Sequence, residues 1–222
     1  MLELAVFFGN PGREYSRNRH NAGFLLAERL PFNAALSWQK KFSSSYTSME
    51  RSRLQAYISD DLLPMTETEG RIHFIKPETY MNLSGKPASQ AASFFKIKHD
   101  AILVVHDDLE LPLGTLSLKF SGGLGGHNGL RSMKASLGTA DFWRLRIGIG
   151  RPDNRKPGEG GPQGSGVGIV DWVLSNFDAG ETETVGRVLE AGANLFILAM
   201  ANDPKSLLPE WAKKKIPELS DA

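Results

Sequence analysis

The chain has 222 residues, with 26 Lys+Arg against 25 Asp+Glu, and contains no cysteine. That length suits one large α/β domain better than two small ones. A net charge of +1 gives no overall electrostatic argument for nucleic acid. The missing cysteines exclude disulfides, a thiol nucleophile and thiolate-held zinc, and fit a cytoplasmic location. In chain order, Leu2–Phe8 is a short apolar run broken only by Glu3, with no basic start; it reads as a first strand and not as a signal peptide. Strand-like runs follow at Leu54–Ile58, Ile72–Lys76, Ala101–His106, Leu116–Phe120 and Arg144–Gly150. Helical spacing covers about Gly23–Leu30, Ser84–Phe95, Asn128–Leu137 and Glu181–Ala201. This alternation predicts an α/β fold: a single domain over residues 1–222, with a mixed twisted sheet and helices on both faces, a three-layer α/β/α arrangement. Asp178 reads as the N-cap of the last helix, with Glu181 and Glu183 in its first turns. Val185, Val188, Leu189, Leu195, Phe196 and Ala199 then form an apolar stripe that faces the core. No uninterrupted apolar run approaches the roughly 20 residues that span a bilayer. Residues 151–168 hold six glycines and three prolines without apolar periodicity, which predicts a long mobile loop. Residues 203–222, with Lys213-Lys214-Lys215, read as a solvated C-terminal tail, with an auxiliary RNA contact as the alternative.

Polar residues collect where the predicted strands end. Gly122–Gly129 carries five glycines in eight residues and delivers His127 and Asn128 to the start of a helix. Such a loop bends easily, and the free N–H groups of the helix N-terminus suit phosphate. Gly9-Asn10-Pro11-Gly12 follows the first strand and leads to Arg19-His20-Asn21. Tyr80-Met81-Asn82-Leu83-Ser84-Gly85 and His106-Asp107-Asp108 stand after two further strands. In open α/β sheets, functional groups gather at strand ends. From Lys119 to Lys156, eight basic residues face two acidic ones, a local +6 that attracts phosphates.

The absent motifs narrow the chemistry. There is no G-x-S-x-G elbow, no Walker A sequence and no G-x-G-x-x-G. The five histidines show no metal-ligand spacing, and nothing completes a metal site around His106-Asp107-Asp108. What remains is a base, a carboxylate and several amides. A histidine takes a proton from water near neutral pH, and a carboxylate beside it fixes its tautomer. Amides donate to a developing oxyanion. That set suits hydrolysis of an ester by water without a covalent intermediate.

In order along the chain, GNPG, RHN, YMNLSG, HDDLELPLG, GGLGGHNGLRS and RLRIGIGRP resemble bacterial-type peptidyl-tRNA hydrolase. They span roughly residues 5–151, with a weaker echo in Val170–Phe177. The resemblance implies that His20 is the catalytic histidine and that Asp107 pairs with it. It implies that Asn10 positions substrate and that Asn82 and Asn128 line the peptide-binding end of the cleft. Tyr15 matches a tyrosine that packs near the terminal nucleotide or aminoacyl group, and Tyr80 belongs to the substrate-binding YMN motif. Lys119 and Arg146 align with a basic pair that contacts the tRNA 5′ phosphate. The implied reaction is hydrolysis of the ester joining an N-blocked peptide to the 3′ end of tRNA. The implied partner is peptidyl-tRNA, held through its acceptor stem and 3′ end. No cofactor, no metal, no membrane and no stable protein partner are expected, and the enzyme is expected to be a cytoplasmic monomer. Residues 151–168 fall where the family carries a mobile lid. The chain departs from the pattern at Phe7-Phe8, where a glycine is usual before GNPG, and at Asn18, where threonine or serine is common. The alternative is an RNA-binding protein on the same fold that has lost hydrolysis; a general esterase is a third reading. Retention of His20, Asp107, Asn10, Asn82 and Asn128 argues against the first, and the local +6 against the second.

Overall fold

The computed structural model describes residues 1–58, 65–66, 68–152 and 168–217. Its strands are β1 (Leu4–Phe7), β2 (Gln39–Lys41), β3 (Ser44–Glu50), β4 (Arg71–Pro77), β5 (Ile102–Asp108), β6 (Thr115–Phe120), β7 (Trp143–Gly148) and β8 (Lys214–Lys215). The helices are α1 (Ala22–Arg29), α2 (Gly85–Phe95), α3 (Asn128–Leu137), α4 (Ile169–Leu174), α5 (Thr182–Ala201) and α6 (Leu208–Trp211). The eight strands form one sheet in the order β2-β3-β4-β1-β5-β7-β6-β8. The central strands β4, β1, β5 and β7 run parallel, and the remaining pairings are antiparallel. The sheet is therefore mixed, as the pattern predicts.

The apolar content of β1 and β5 dictates their central place. Every residue of β1 is buried, and so are Ile102 to Asp107 of β5. Parallel strands covered on both faces read as continuous apolar runs. Alternate residues point to opposite faces. On one face Ala5, Phe7, Leu103 and Val105 pack with Leu26 of α1 and Phe196 of α5. On the other face Leu4, Val6, Phe8 and Val104 pack with Ala88 and Ala91 of α2 and with Leu130 and Met133 of α3. The result is the expected three-layer arrangement. Among the described residues α5 alone is long and apolar enough to cross a membrane, but 61% of its apolar window is buried. Its hydrophobicity belongs to the core of the sheet.

Four local expectations change. Leu54–Ile58, expected as a strand, lies in a 3-10 helix over Arg51–Tyr57. Its buried positions Arg51 and Leu54 are three apart, which is the 3-10 repeat and not strand alternation. The Arg51 guanidinium donates to the carbonyls of Leu2, Met200 and Glu69, and so ties this turn to the sheet and to the end of α5. Ser44–Glu50, too serine-rich to read as a strand, forms β3 because it pairs with β4 over seven positions; pairing and burial outweigh propensity there. The tail is not a solvated end through residue 215. Trp211 is buried, Ser117 Oγ donates to the Ala212 carbonyl at 2.6 Å, and Lys214 and Lys215 pair with β6. The first turn before α5 carries a reciprocal cap: Glu181 N–H donates to Asp178 Oδ1 at 3.0 Å and Asp178 N–H to Glu181 Oε2 at 2.9 Å. Asp178 thus caps the segment although the helix proper starts at Thr182. Most of the predicted 151–168 loop, residues 153–167, lies outside the described residues.

The layer holding α2 and α3 closes on glycine. A Cβ at Gly85 would sit inside contact distance of the Ser132 carbonyl, and Gly85 N–H donates to Ser132 Oγ at 2.9 Å. The clashing atom is backbone, so it does not yield cheaply. Gly85→Ala is expected to lower stability by about 1–3 kcal/mol in urea unfolding; an unchanged midpoint with an unchanged slope would contradict this packing.

Candidate active site

Four chain segments converge beyond the carboxyl ends of β1 and β5. The first is the GNPG turn after β1, and the second is the 3-10 turn Arg19–Asn21 that leads into α1. Asn21 locks these together: its Oδ1 accepts the Asn10 N–H at 2.9 Å and its Nδ2 donates to the Asn10 carbonyl at 3.0 Å. The third segment is Tyr80–Ser84. Met81 N–H donates to Asn10 Oδ1 at 2.8 Å, which orients the Asn10 amide and leaves its NH₂ as the group that can donate to a ligand. The fourth is the glycine loop that ends at His127 and opens α3. Gly129 is required there, because a Cβ would meet the Phe8 ring at 2.5 Å and Met81 Sδ at 2.7 Å.

At the centre stands Asp107, only 1% exposed. Its Oδ1 and Oδ2 lie 2.9 and 3.1 Å from His20 Nδ1, and Oδ1 lies 3.1 Å from His127 Nε2. The hydrogen positions follow from the partners. His127 Nδ1 accepts the backbone N–H of Gly129 at 3.0 Å, so it carries no proton in the neutral ring and Nε2 donates to Asp107. His20 Nδ1 likewise faces an acceptor, so its Nε2 is the nitrogen that can take a proton. The His20 and His127 rings lie 4.9 Å apart. Burial alone would push the Asp107 carboxyl up, but the charges and hydrogen bonds of His20 and His127 hold it well below the usual carboxylate range. Burial disfavours the His20 imidazolium, but the Asp107 charge and hydrogen bond outweigh it, so the His20 pKa is raised above 6.5. A raised value means that this pair's contribution to stability is complete below pH 6.5 and is lost as pH rises through the folded value. His106 points away from this pair: its Nδ1 donates to the Asp107 carbonyl at 2.6 Å, and burial with the charge of His127 lowers its pKa to about 3.

His20, Asp107 and His127 offer ligand atoms within 4.8 Å of one another, the spacing of a metal site. The tautomer of His127 argues against that use. A metal on Nε2 needs the proton on Nδ1, and that proton would then face the Gly129 N–H, donor against donor. Metal-bound histidines donate their second nitrogen to an acceptor. The trio is built as a hydrogen-bond network.

The cleft above it holds about 590 Å³. Leu124, Gly125, Gly126 and Asn128 form one side, and Ile169, Val170 and Val173 of α4 form another. Of the predicted residues, His20, Asp107 and Asn128 line it. Asn10 is buried and is not among the lining residues. Asn82 lies with Asn128 in an adjoining groove of about 680 Å³ between the YMN turn, α2 and α3. Tyr15 is half-buried in its own 3-10 turn, and Tyr80 is 60% exposed; neither lines the cleft. Lys119 is exposed near the end of β6. Arg146 donates to Asp108 Oδ2 at 2.8 Å and to Ser117 Oγ at 3.3 Å.

The basic run does not form one +6 patch. Asp108, the last residue of β5, and Glu110, just after it, pair with Arg146 and Arg151. Arg144 is buried and donates to the carbonyls of Gly123 at 2.6 Å and Gly122 at 3.0 Å, so it shapes the glycine loop from beneath. Arg155 and Lys156 lie outside the described residues. A charge count along the chain misses acids that the sheet returns from elsewhere. Two further parts of the site, His127 and the apolar wall of α4, have no role that the sequence alone indicates. His127 was visible in the GHNG motif, but its bond to Asp107 depends on the loop's path. The apolar wall of α4 shows in the sequence only as the weaker family echo in Val170–Phe177, because six residues are too few for a helical period.

Comparison with known proteins settles the relationship. The family profile described as peptidyl-tRNA hydrolase matches residues 4–218. The chain belongs to the peptidyl-tRNA hydrolase family. It is 40% identical to the peptidyl-tRNA hydrolase of Treponema pallidum (strain Nichols), over 99% of each chain. It is also 40% identical to that of Dehalococcoides mccartyi (strain ATCC BAA-2266 / KCTC 15142 / 195), over 85% of this chain and 87% of the relative. Among solved structures, the peptidyl-tRNA hydrolase from Acinetobacter baumannii superposes with a TM-score of 0.64 at 28% identity, over 91% of this chain and 95% of that one.

Proposed function

We propose that the chain hydrolyses peptidyl-tRNA, cutting the ester between an N-blocked peptide and the 3′ end of tRNA by direct attack of water. The observation that carries this reading is the buried His20–Asp107 pair at the base of the cleft, with His20 Nε2 as the basic nitrogen. His20 takes a proton from water as the water oxygen bonds to the ester carbonyl carbon. Asp107, held ionised, steadies the imidazolium that forms and keeps the ring in one tautomer. The Asn10 NH₂ is free to donate to the tetrahedral oxyanion, since its Oδ1 is taken by Met81 N–H. The intermediate collapses by breaking the carbon–oxygen bond to ribose, and His20 returns its proton to the leaving ribose oxygen. Free peptide carboxylate and reusable tRNA result.

Asn128 donates through its NH₂, because its Oδ1 accepts from Arg131 Nη1 at 3.0 Å. With Asn82 it recognises the peptide amide, which explains a preference for blocked over free aminoacyl groups. Tyr15 and Tyr80 flank the terminal nucleotide and aminoacyl group. Lys119 supplies the charge that meets the tRNA 5′ phosphate, and Arg146 assists while pinned by Asp108. The enzyme works as a cytoplasmic monomer of one domain and needs no metal, membrane or stable protein partner.

The direct test is release of N-acetyl-amino acid from N-acetyl-aminoacyl-tRNA in excess EDTA. His20→Ala is expected to lose about 10²–10⁴-fold or more in rate while remaining folded; wild-type turnover by that variant would overturn the assignment. For the tRNA contact, Lys119→Ala is expected to weaken binding uniformly and to reduce the slope of log affinity against log salt by about one. An unchanged slope would remove Lys119 from the phosphate contact.

A further inference from the structure

Arg19 shares a turn with His20, yet its side chain faces away from the chemistry and is only 3% exposed. A buried guanidinium persists only when it is paired and hydrogen-bonded. Arg19 Nη1 and Nη2 donate to the two carboxylate oxygens of Glu181 at 2.9 and 2.6 Å, and Nε donates to Ser175 Oγ at 3.2 Å. The guanidinium also lies 3.8 Å from the centre of the Trp172 ring and 4.8 Å from that of Phe177. The Arg19 backbone N–H donates to the Ser175 carbonyl at 3.0 Å, and Asn18 forms a β-bridge with Asn176. All these partners belong to one stretch, from α4 to the cap of α5.

Among the described residues that stretch has little else to hold it. α4 is six residues long and buries none of them fully. Among the described residues it is also tied by Trp172 Nε1, which donates to the Gly150 carbonyl at 2.9 Å. Ile169, Val170 and Val173 nevertheless line the catalytic cleft, with Ile169 and Val170 48% and 66% exposed. The wall of the cleft is thus an apolar surface without a core of its own. Glu181 is fixed from the far side by its reciprocal bonds with Asp178 at the head of the core helix α5.

We infer that Arg19 is a positioning residue that docks the apolar wall of the cleft, α4, onto the turn that carries His20, so that the wall meets substrate only while the Arg19–Glu181 pair is made. The inference rests on the proposed cleft and adds a residue to its binding side. The wall residues make no hydrogen bond to the His20–Asp107 pair, so the pair keeps its geometry when the wall shifts. The effect falls on binding and not on the chemical step.

The test compares the wild type with Glu181→Gln and Arg19→Lys on N-acetyl-aminoacyl-tRNA, with amide hydrogen exchange of residues 169–174 followed in the same proteins. Both variants lose the two-pronged charged contact. KM is expected to rise about tenfold or more while kcat stays within about twofold. The acid limb of the pH–rate profile should stay in place, and exchange in α4 should quicken. A wild-type KM in Glu181→Gln, or a loss confined to kcat, would overturn the inference and leave Arg19 as a staple of the fold. If Arg19→Lys fails to fold, Glu181→Gln decides, since the Glu181 side chain is less deeply buried than that of Arg19. Absence of turnover in the wild type would sink the functional reading instead; the exchange rates would then still decide this one, faster in Glu181→Gln supporting it and unchanged overturning it.

Discussion

The site is organised around one buried negative charge. An ionised carboxylate without partners is not tolerated in an apolar interior. Asp107 stands near the end of β5, buried like every residue before it in that strand, and is satisfied by two imidazole N–H groups, one from His20 and one from His127. Each ring is thereby oriented and its tautomer chosen. For His127 the choice is enforced twice, by Asp107 on one nitrogen and by the Gly129 N–H on the other. For His20 the choice leaves Nε2 as the basic atom, and the same carboxylate raises its affinity for a proton. Base strength and ring orientation both follow from where this carboxylate sits.

The surrounding motifs divide between chemistry and carpentry. Asn21 does no chemistry; it closes a two-bond ring with the backbone of Asn10 and so sets one turn against another. Met81 contributes a backbone N–H that fixes the Asn10 amide. Arg144 draws the carbonyls of Gly122 and Gly123 inward, and this holds a glycine-rich loop in one path. Arg19 does the same for the segment that closes the cleft. A loop of glycines is free to bend in many ways, so its definition must come from side chains elsewhere. The buried Arg144 guanidinium supplies it here by donating to several acceptors at once, and Arg19 uses the same device on the segment from α4 to α5.

Much of this was legible in the sequence, and the physical reasons for success and failure differ by element. β1 and β5 were visible because strands covered on both faces are apolar throughout. α2, α3 and α5 were visible because they are long enough to show a helical period. β3 was not, since its serines carry no pattern and its pairing with β4 is a tertiary fact. The turn at Arg51–Tyr57 was misread because a short apolar run does not separate strand from helix. His20 and Asp107 stand 87 residues apart, and only the resemblance joined them in advance. The partners of the basic run were hidden for the same reason: Asp108 and Glu110 reach Arg146 and Arg151 across a strand pairing. Proton placement on His127 is further removed still, because it depends on one backbone N–H at the first turn of α3.

The most direct test of the central carboxylate is nitrogen NMR of the imidazole side chains across pH. The account predicts that neutral His127 carries its proton on Nε2 with Nδ1 bare, and that His20 takes up its second proton above pH 6.5. Hydrolysis should then fall as pH drops through that His20 value, since the base must be neutral to act. A neutral His127 protonated on Nδ1, or a His20 that titrates below 6.5, would contradict the arrangement from which the mechanism is derived.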